Sequence, residues 1–197
     1  MELKQNSNRC VVLLHEIYGI NQHIEYYAKL FYKQNFDVYI PNLINNETPF
    51  PYEEEERAYR HFMENVGFEK AYKQVMALIQ VLSKEYIEIH VIGFSVGATV
   101  AWLCSSHKEV HRVVGFYGSR IREYLNRIPK CETILIYGEH EQSFDPKDLK
   151  CKLSHYSNVW VKIVEGGHGF ADPYSKNYNK ISADRILEYW CPFYNVN

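Results

Sequence analysis

A serine sits between two glycines in Gly93-Phe94-Ser95-Val96-Gly97, after the β-branched run 87–92 and before the helix-compatible stretch 98–103. Strand, sharp turn and helix form the setting in which Gly-x-Ser-x-Gly presents a nucleophile. The spacing answers a problem of crowding: a strained turn holds the hydroxyl above the sheet, and glycines let strand and helix approach. Backbone N–H groups at the start of the helix then lie beside the hydroxyl. The bare pattern arises by chance in roughly one chain of this length in twenty, so it carries weight only with partners.

A serine hydroxyl is a poor nucleophile until a base takes its proton and a third group orients that base. His168, in Glu165-Gly166-Gly167-His168-Gly169-Phe170, follows the apolar run 159–164 on a loop given unusual freedom by three glycines. The other eight histidines lack this setting. The acid comes from Gly138-Glu139-His140-Glu141-Gln142-Ser143-Phe144-Asp145. Glu141, three residues past the glycine, is taken as the orienter. Asp145 is its competitor, and Glu139 is read as facing solvent. Backbone N–H groups of Val96 and Ile17, the latter in the turn His15-Glu16-Ile17-Tyr18-Gly19, are the expected oxyanion donors.

These residues need a scaffold. Short apolar runs begin near residues 10, 37, 87, 110, 132 and 159, and helical periodicity fills the gaps: 24–34, 68–86, 98–103, 146–156 and 178–189. Ile181, Ile186, Leu187 and Trp190 are the expected apolar positions of the last helix. Six strands alternating with helices describe an α/β, doubly wound, mostly parallel sheet with helices on both faces, in a single domain spanning 1–197. Ligands in such sheets bind beyond the carboxyl ends of the strands, where Glu16, Ser95, Arg120, Glu141 and His168 fall.

The acidic run Glu53-Glu54-Glu55-Glu56 reads as the start of a helix and a solvated face. Arg57, Arg60 and Arg120 could clamp an anionic substrate, Arg120 being best placed, although each is more simply a surface arginine. Tyr18, Tyr117, Phe144 and Phe170 are candidates for an apolar wall, with core packing as the alternative.

A net charge of −2 and the lack of a Lys/Arg cluster argue against nucleic-acid binding. No apolar run approaches a membrane span and the first nine residues are polar. The five cysteines, Cys10, Cys104, Cys131, Cys151 and Cys191, form no Cys-x-x-Cys pair. They suit a cytoplasmic protein with reduced thiols.

Taken together, the strand ending in His15-Glu16-Ile17-Tyr18-Gly19, the Ser95 turn, Gly138 to Glu141 and His168-Gly169-Phe170 resemble the dienelactone hydrolase family of α/β-hydrolases. Members of that superfamily carry nucleophile, acid and histidine in this chain order. The resemblance implies a single-domain hydrolase with little or no lid and no cofactor or metal. Two positions depart from the family pattern: Ser95 stands where the nucleophile is typically cysteine, and Glu141 where the acid is typically aspartate. In members with cysteine, the glutamate matching Glu16 helps to activate the resting thiol. With serine, Glu16 could simply shape the oxyanion turn.

The expected function is therefore hydrolysis of small esters or lactones through an acyl-enzyme. Ser95, His168 and Glu141 would be catalytic, and Glu16 and Arg120 auxiliary. The expected partner is a small ester, with no nucleic acid or membrane; oligomeric state and substrate identity are not encoded legibly. A non-catalytic hydrolase-fold protein that binds a small ligand is the alternative reading.

Overall fold

The computed structural model describes residues 1–190, with the side chains of 187–190 excepted. Cys191 and the side chains of Leu187 and Trp190 therefore lie outside the described residues. Among the described cysteines, Cys10, Cys104 and Cys131 are buried and unpaired, and Cys151 is exposed.

One sheet organises the chain. Its strands are β1 (Glu2–Leu3), β2 (Arg9–Leu14), β3 (Asp37–Tyr39), β4 (Glu88–Phe94), β5 (Arg112–Phe116), β6 (Glu132–His140) and β7 (Val159–Gly167). The order is β1-β3-β2-β4-β5-β6-β7, parallel throughout except for β1. Six strands were expected. The seventh, β1, is an edge pair in a polar stretch with no apolar periodicity to announce it. It pairs antiparallel to β3 through Glu2↔Tyr39 and Leu3↔Val38. The Met1 amine donates to the Ile40 carbonyl at 3.1 Å, and the Gln5 amide to the carbonyls of Tyr32 and Phe36.

Val11, Val12, Leu13 and Leu14 have no exposed surface. Successive strand residues point to opposite faces, so both faces of the sheet are covered. The helices that cover them are α1 (Gln22–Lys33), α2 (Glu55–His61), α3 (Gly67–Leu82), α4 (Val96–Cys104), α5 (Pro146–Leu153) and α6 (Lys180–Trp190). Adjacent residues of β4 assign two of them to opposite sides. Gly93 meets α4, whose Gly97 carbonyl lies 2.3 Å from where a Cβ would stand. Phe94 instead packs against His23 and Tyr27 of α1, with ring centroids 4.4 and 4.7 Å away. Asn21 starts α1 by accepting from the Ile24 N–H, and a π-helical turn (Phe62–Val66) joins α2 to α3.

Helix α6 presents Ser182, Ala183 and Ile186 inwards, whereas Ile181 is 75% exposed. Of the expected apolar positions, Ile186 is therefore buried as expected and Ile181 is not. Ser182 belongs inside because its hydroxyl donates to the Glu165 carbonyl at 2.7 Å, a bond that apolar periodicity does not reveal. Among the described residues, no helix is long and apolar enough to cross a membrane.

Candidate active site

Ser95 ends β4 and opens α4 with φ 51° and ψ −112°. A non-glycine residue there stores roughly 1–3 kcal/mol of strain, so the surroundings must hold it. They do so through its N–H, which donates to the Phe116 carbonyl at 2.9 Å, and its carbonyl, which accepts from Thr99 N–H at 3.2 Å. The flanking glycines are required by space. A Cβ on Gly97 would lie 2.5 Å from the Leu14 carbonyl oxygen, as one on Gly93 would crowd Gly97.

His168 and Glu141 are brought together by sheet register. Strands β6 and β7 pair Gly138 with Val164 and then His140 with Gly167, so a bulge adds one residue to β7. Each residue just past the last pair is one of the candidate catalytic residues: Glu141 beyond His140, and His168 beyond Gly167. The bulge depends on glycine, since a Cβ at Gly138 would stand 2.4 Å from the Gly166 carbonyl oxygen.

The resulting chain of contacts runs from Glu141 Oε2 to His168 Nδ1 at 2.9 Å, and from His168 Nε2 to Ser95 Oγ at 3.1 Å. A carboxylate only accepts, so Nδ1 carries the proton and Nε2 is left free to accept from the serine. Asp145 takes no part; its side chain caps α5 by accepting from the Lys147 N–H at 2.8 Å. Burial disfavours the His168 imidazolium. The Glu141 hydrogen bond and the charges of Glu141, Glu16 and Glu55 outweigh that, raising its pKa above 6.5. Asn177 steadies the loop by donating to the His168 carbonyl at 2.8 Å.

The turn after β2 lies across from Ser95. Leu43 N–H donates to His15 Nε2 at 2.9 Å, so the proton of His15 sits on Nδ1 and is donated to the Glu16 carbonyl. Burial lowers the His15 pKa to about 4 and keeps the ring neutral. Ile17 and Val96 both line the cleft beside Ser95. Val96 is the first residue of α4, so its N–H has no helical acceptor. The Ile17 N–H finds no acceptor among the described residues.

At this turn, Glu16, His23 and Asp172 place three potential metal-ligand atoms within 4.8 Å of one another, all buried. Tyr52 OH donates to Asp172 Oδ2 at 2.5 Å and Tyr174 N–H to Oδ1 at 2.8 Å. His23 Nδ1 lies 3.5 Å from Asp172 without hydrogen-bond geometry, and burial lowers the His23 pKa to about 3. Burial, reinforced by the Asp172 charge, lifts the Glu16 carboxyl from 4.5 to about 7. Asp172 escaped sequence reading, although it stands only four residues after His168.

The remaining expectations divide. Arg120 lines the cleft, but its guanidinium pairs with Glu123 and donates to the Tyr59 hydroxyl. Arg57 and Arg60 pair with Glu54 and Glu56. Tyr18 lines the cleft, whereas Tyr117 and Phe170 are fully buried and belong to the core. Phe144 packs edge-on against Tyr137. The cleft over Ser95 has a volume of about 960 Å³.

A parallel sheet covered on both faces, with a strained serine at a strand-to-helix turn and a histidine–carboxylate pair beyond the next strands, defines an α/β-hydrolase. The chain belongs to the dienelactone hydrolase family, whose model matches residues 2–195. It is 37% identical over 172 residues to the uncharacterized protein YczH of Bacillus subtilis (strain 168), covering 86% of this chain and 84% of that protein. Solved structures share the fold, two of them as follows. A candidate dienelactone hydrolase from Klebsiella pneumoniae subsp. pneumoniae MGH 78578 superposes with a TM-score of 0.74 at 17% identity, over 93% of this chain and 86% of its own. The dienelactone hydrolase-like promiscuous phosphotriesterase P91 from metagenomic libraries gives 0.77 at 15% identity, over 95% and 86%.

Proposed function

We propose that this hydrolase cleaves small carboxylic esters or lactones through an acyl-enzyme formed on Ser95. The observation that carries the reading is the unbroken Glu141–His168–Ser95 hydrogen-bond chain, with the nucleophile held on a strained turn. Ser95 Oγ attacks the acyl carbon as its proton passes to His168 Nε2. The imidazolium is stabilised by Glu141 through Nδ1–H, and the tetrahedral oxyanion takes the N–H groups of Val96 and Ile17. Collapse expels the alkoxide, which leaves with the proton from His168. Water then repeats the sequence on the acyl-enzyme, freeing the acid and restoring Ser95. In this scheme Glu16 supports the oxyanion turn, while Arg120 braces the rim of the cleft through Glu123 and Tyr59. The unpaired, buried Cys10, Cys104 and Cys131 support a reducing, cytoplasmic setting.

The test is turnover of p-nitrophenyl acetate together with fluorophosphonate labelling. The parent protein labels at Ser95 and turns the ester over, whereas Ser95→Ala does neither and keeps the same circular dichroism. Hydrolysis by Ser95→Ala at the parent rate overturns the assignment.

A further inference from the structure

The acidic run at residues 53–56 is split by geometry. Glu54 and Glu56 turn back to Arg57 and Arg60 at 2.6 and 2.8 Å. Glu53 and Glu55 line the cleft over Ser95, and neither has an ion-pair partner among the described residues. Glu55 is near enough to push up the pKa values of His168, Glu16 and Tyr18, so its charge is felt at the reacting atoms.

Other features of the wall point the same way. Glu16, only 6% exposed, also lines the cleft, and its Oε1 has no hydrogen-bond partner. Tyr18 and Tyr52 meet edge to face with centroids 4.8 Å apart on the side of the cleft that carries Glu53 and Glu55. Tyr59 and Tyr174 line it as well. Electron-rich rings beside carboxylates are the surroundings that favour an organic cation over a neutral or anionic group. The cationic side chains of the wall do not offset them. Arg120 is already neutralised by Glu123, and the exposed Lys176 sets a single charge against those of Glu53 and Glu55.

We propose that the cleft selects esters bearing a positively charged alkylammonium group and disfavours anionic ones. This inference rests on the esterase reading of Ser95 and assigns that site its substrate class. The acyl carbon sits at Ser95 Oγ while the ammonium group lies towards Glu53, Glu55 and the tyrosines.

The test compares acetylcholine, its uncharged isostere 3,3-dimethylbutyl acetate and an acetoxy-carboxylate of similar length, followed by pH-stat at constant pH. The cationic ester should exceed the neutral one in kcat/KM by on the order of ten-fold. The anionic ester should fall below both, and added salt should narrow the spread. In Glu53→Gln/Glu55→Gln the cation-to-neutral ratio should fall towards one. Taking a ratio within one enzyme cancels the change that Glu55→Gln makes to the basicity of His168. Equal rates, or preference for the anion, overturn the inference. So does a fluorophosphonate-reactive Ser95 that hydrolyses none of the three. If Ser95 also fails to label, the esterase reading falls with it.

Discussion

Replacing Glu16 by glutamine removes a carboxyl that the fold holds in an unfavourable state at neutral pH. Its Oε1 makes no hydrogen bond of good geometry, the Tyr117 hydroxyl offsets burial only in part, and a second carboxyl, Asp172, lies close by. Burial and that neighbour raise its pKa from 4.5 to about 7. For an acid raised on folding, the native state binds more protons than the unfolded chain between those two values. Stability therefore falls as pH rises through that window. The penalty is absent below about pH 4.5 and complete above about pH 7. At 1.36 kcal/mol per pH unit it reaches about 3 kcal/mol, of which about 2–3 kcal/mol develops between pH 5 and pH 8. Glu16→Gln cannot ionise and escapes it. Urea denaturation of both proteins at pH 5 and pH 8 should show the variant gaining that amount on the parent as pH rises. Any loss of packing or hydrogen bonding in the variant is independent of pH and cancels in the comparison. Parallel stability curves for the two proteins would refute the argument.

Two further outcomes follow from the triad geometry. Because Glu141 holds the His168 pKa up, and a base must be neutral to work, the acid limb of kcat/KM lies above pH 6.5 in the parent. In Glu141→Gln that limb should move to lower pH while kcat drops on the order of 10³–10⁴-fold; an unmoved limb in pH-rate profiles excludes Glu141 as the orienter. Asp145→Ala removes the N-cap of α5 and should cost about 1 kcal/mol in chemical denaturation. It should leave ester turnover unchanged, and a loss comparable to that of Glu141→Gln would make Asp145, rather than Glu141, the acid of this loop.

The contrast between those two acids shows where sequence reasoning holds and where it stops. Runs such as Val11–Leu14 declare a doubly covered strand by composition alone, and the glycines around Ser95 declare a close approach. Both follow from local chemistry, and the structure realises both. The pairing of Glu141 with His168 has another origin. The strand-like runs in the sequence end at Gly138 and Val164, yet the ladder runs on to His140↔Gly167 because β7 bulges past Gly138. Without that extra residue the register would slip by one and turn the partner side chain to the other face. Nothing within either loop encodes the slip, because it is a property of two strands pairing. The same limit hid the division of residues 53–56, which have one composition and two surroundings. It also hid Asp172, whose partners Tyr52 and His23 lie more than a hundred residues away in sequence. The order of serine, acid and base along the chain therefore nominates a reaction. The charge around it comes from residues that meet only when the sheet closes, and a test of substrate charge addresses that second layer directly.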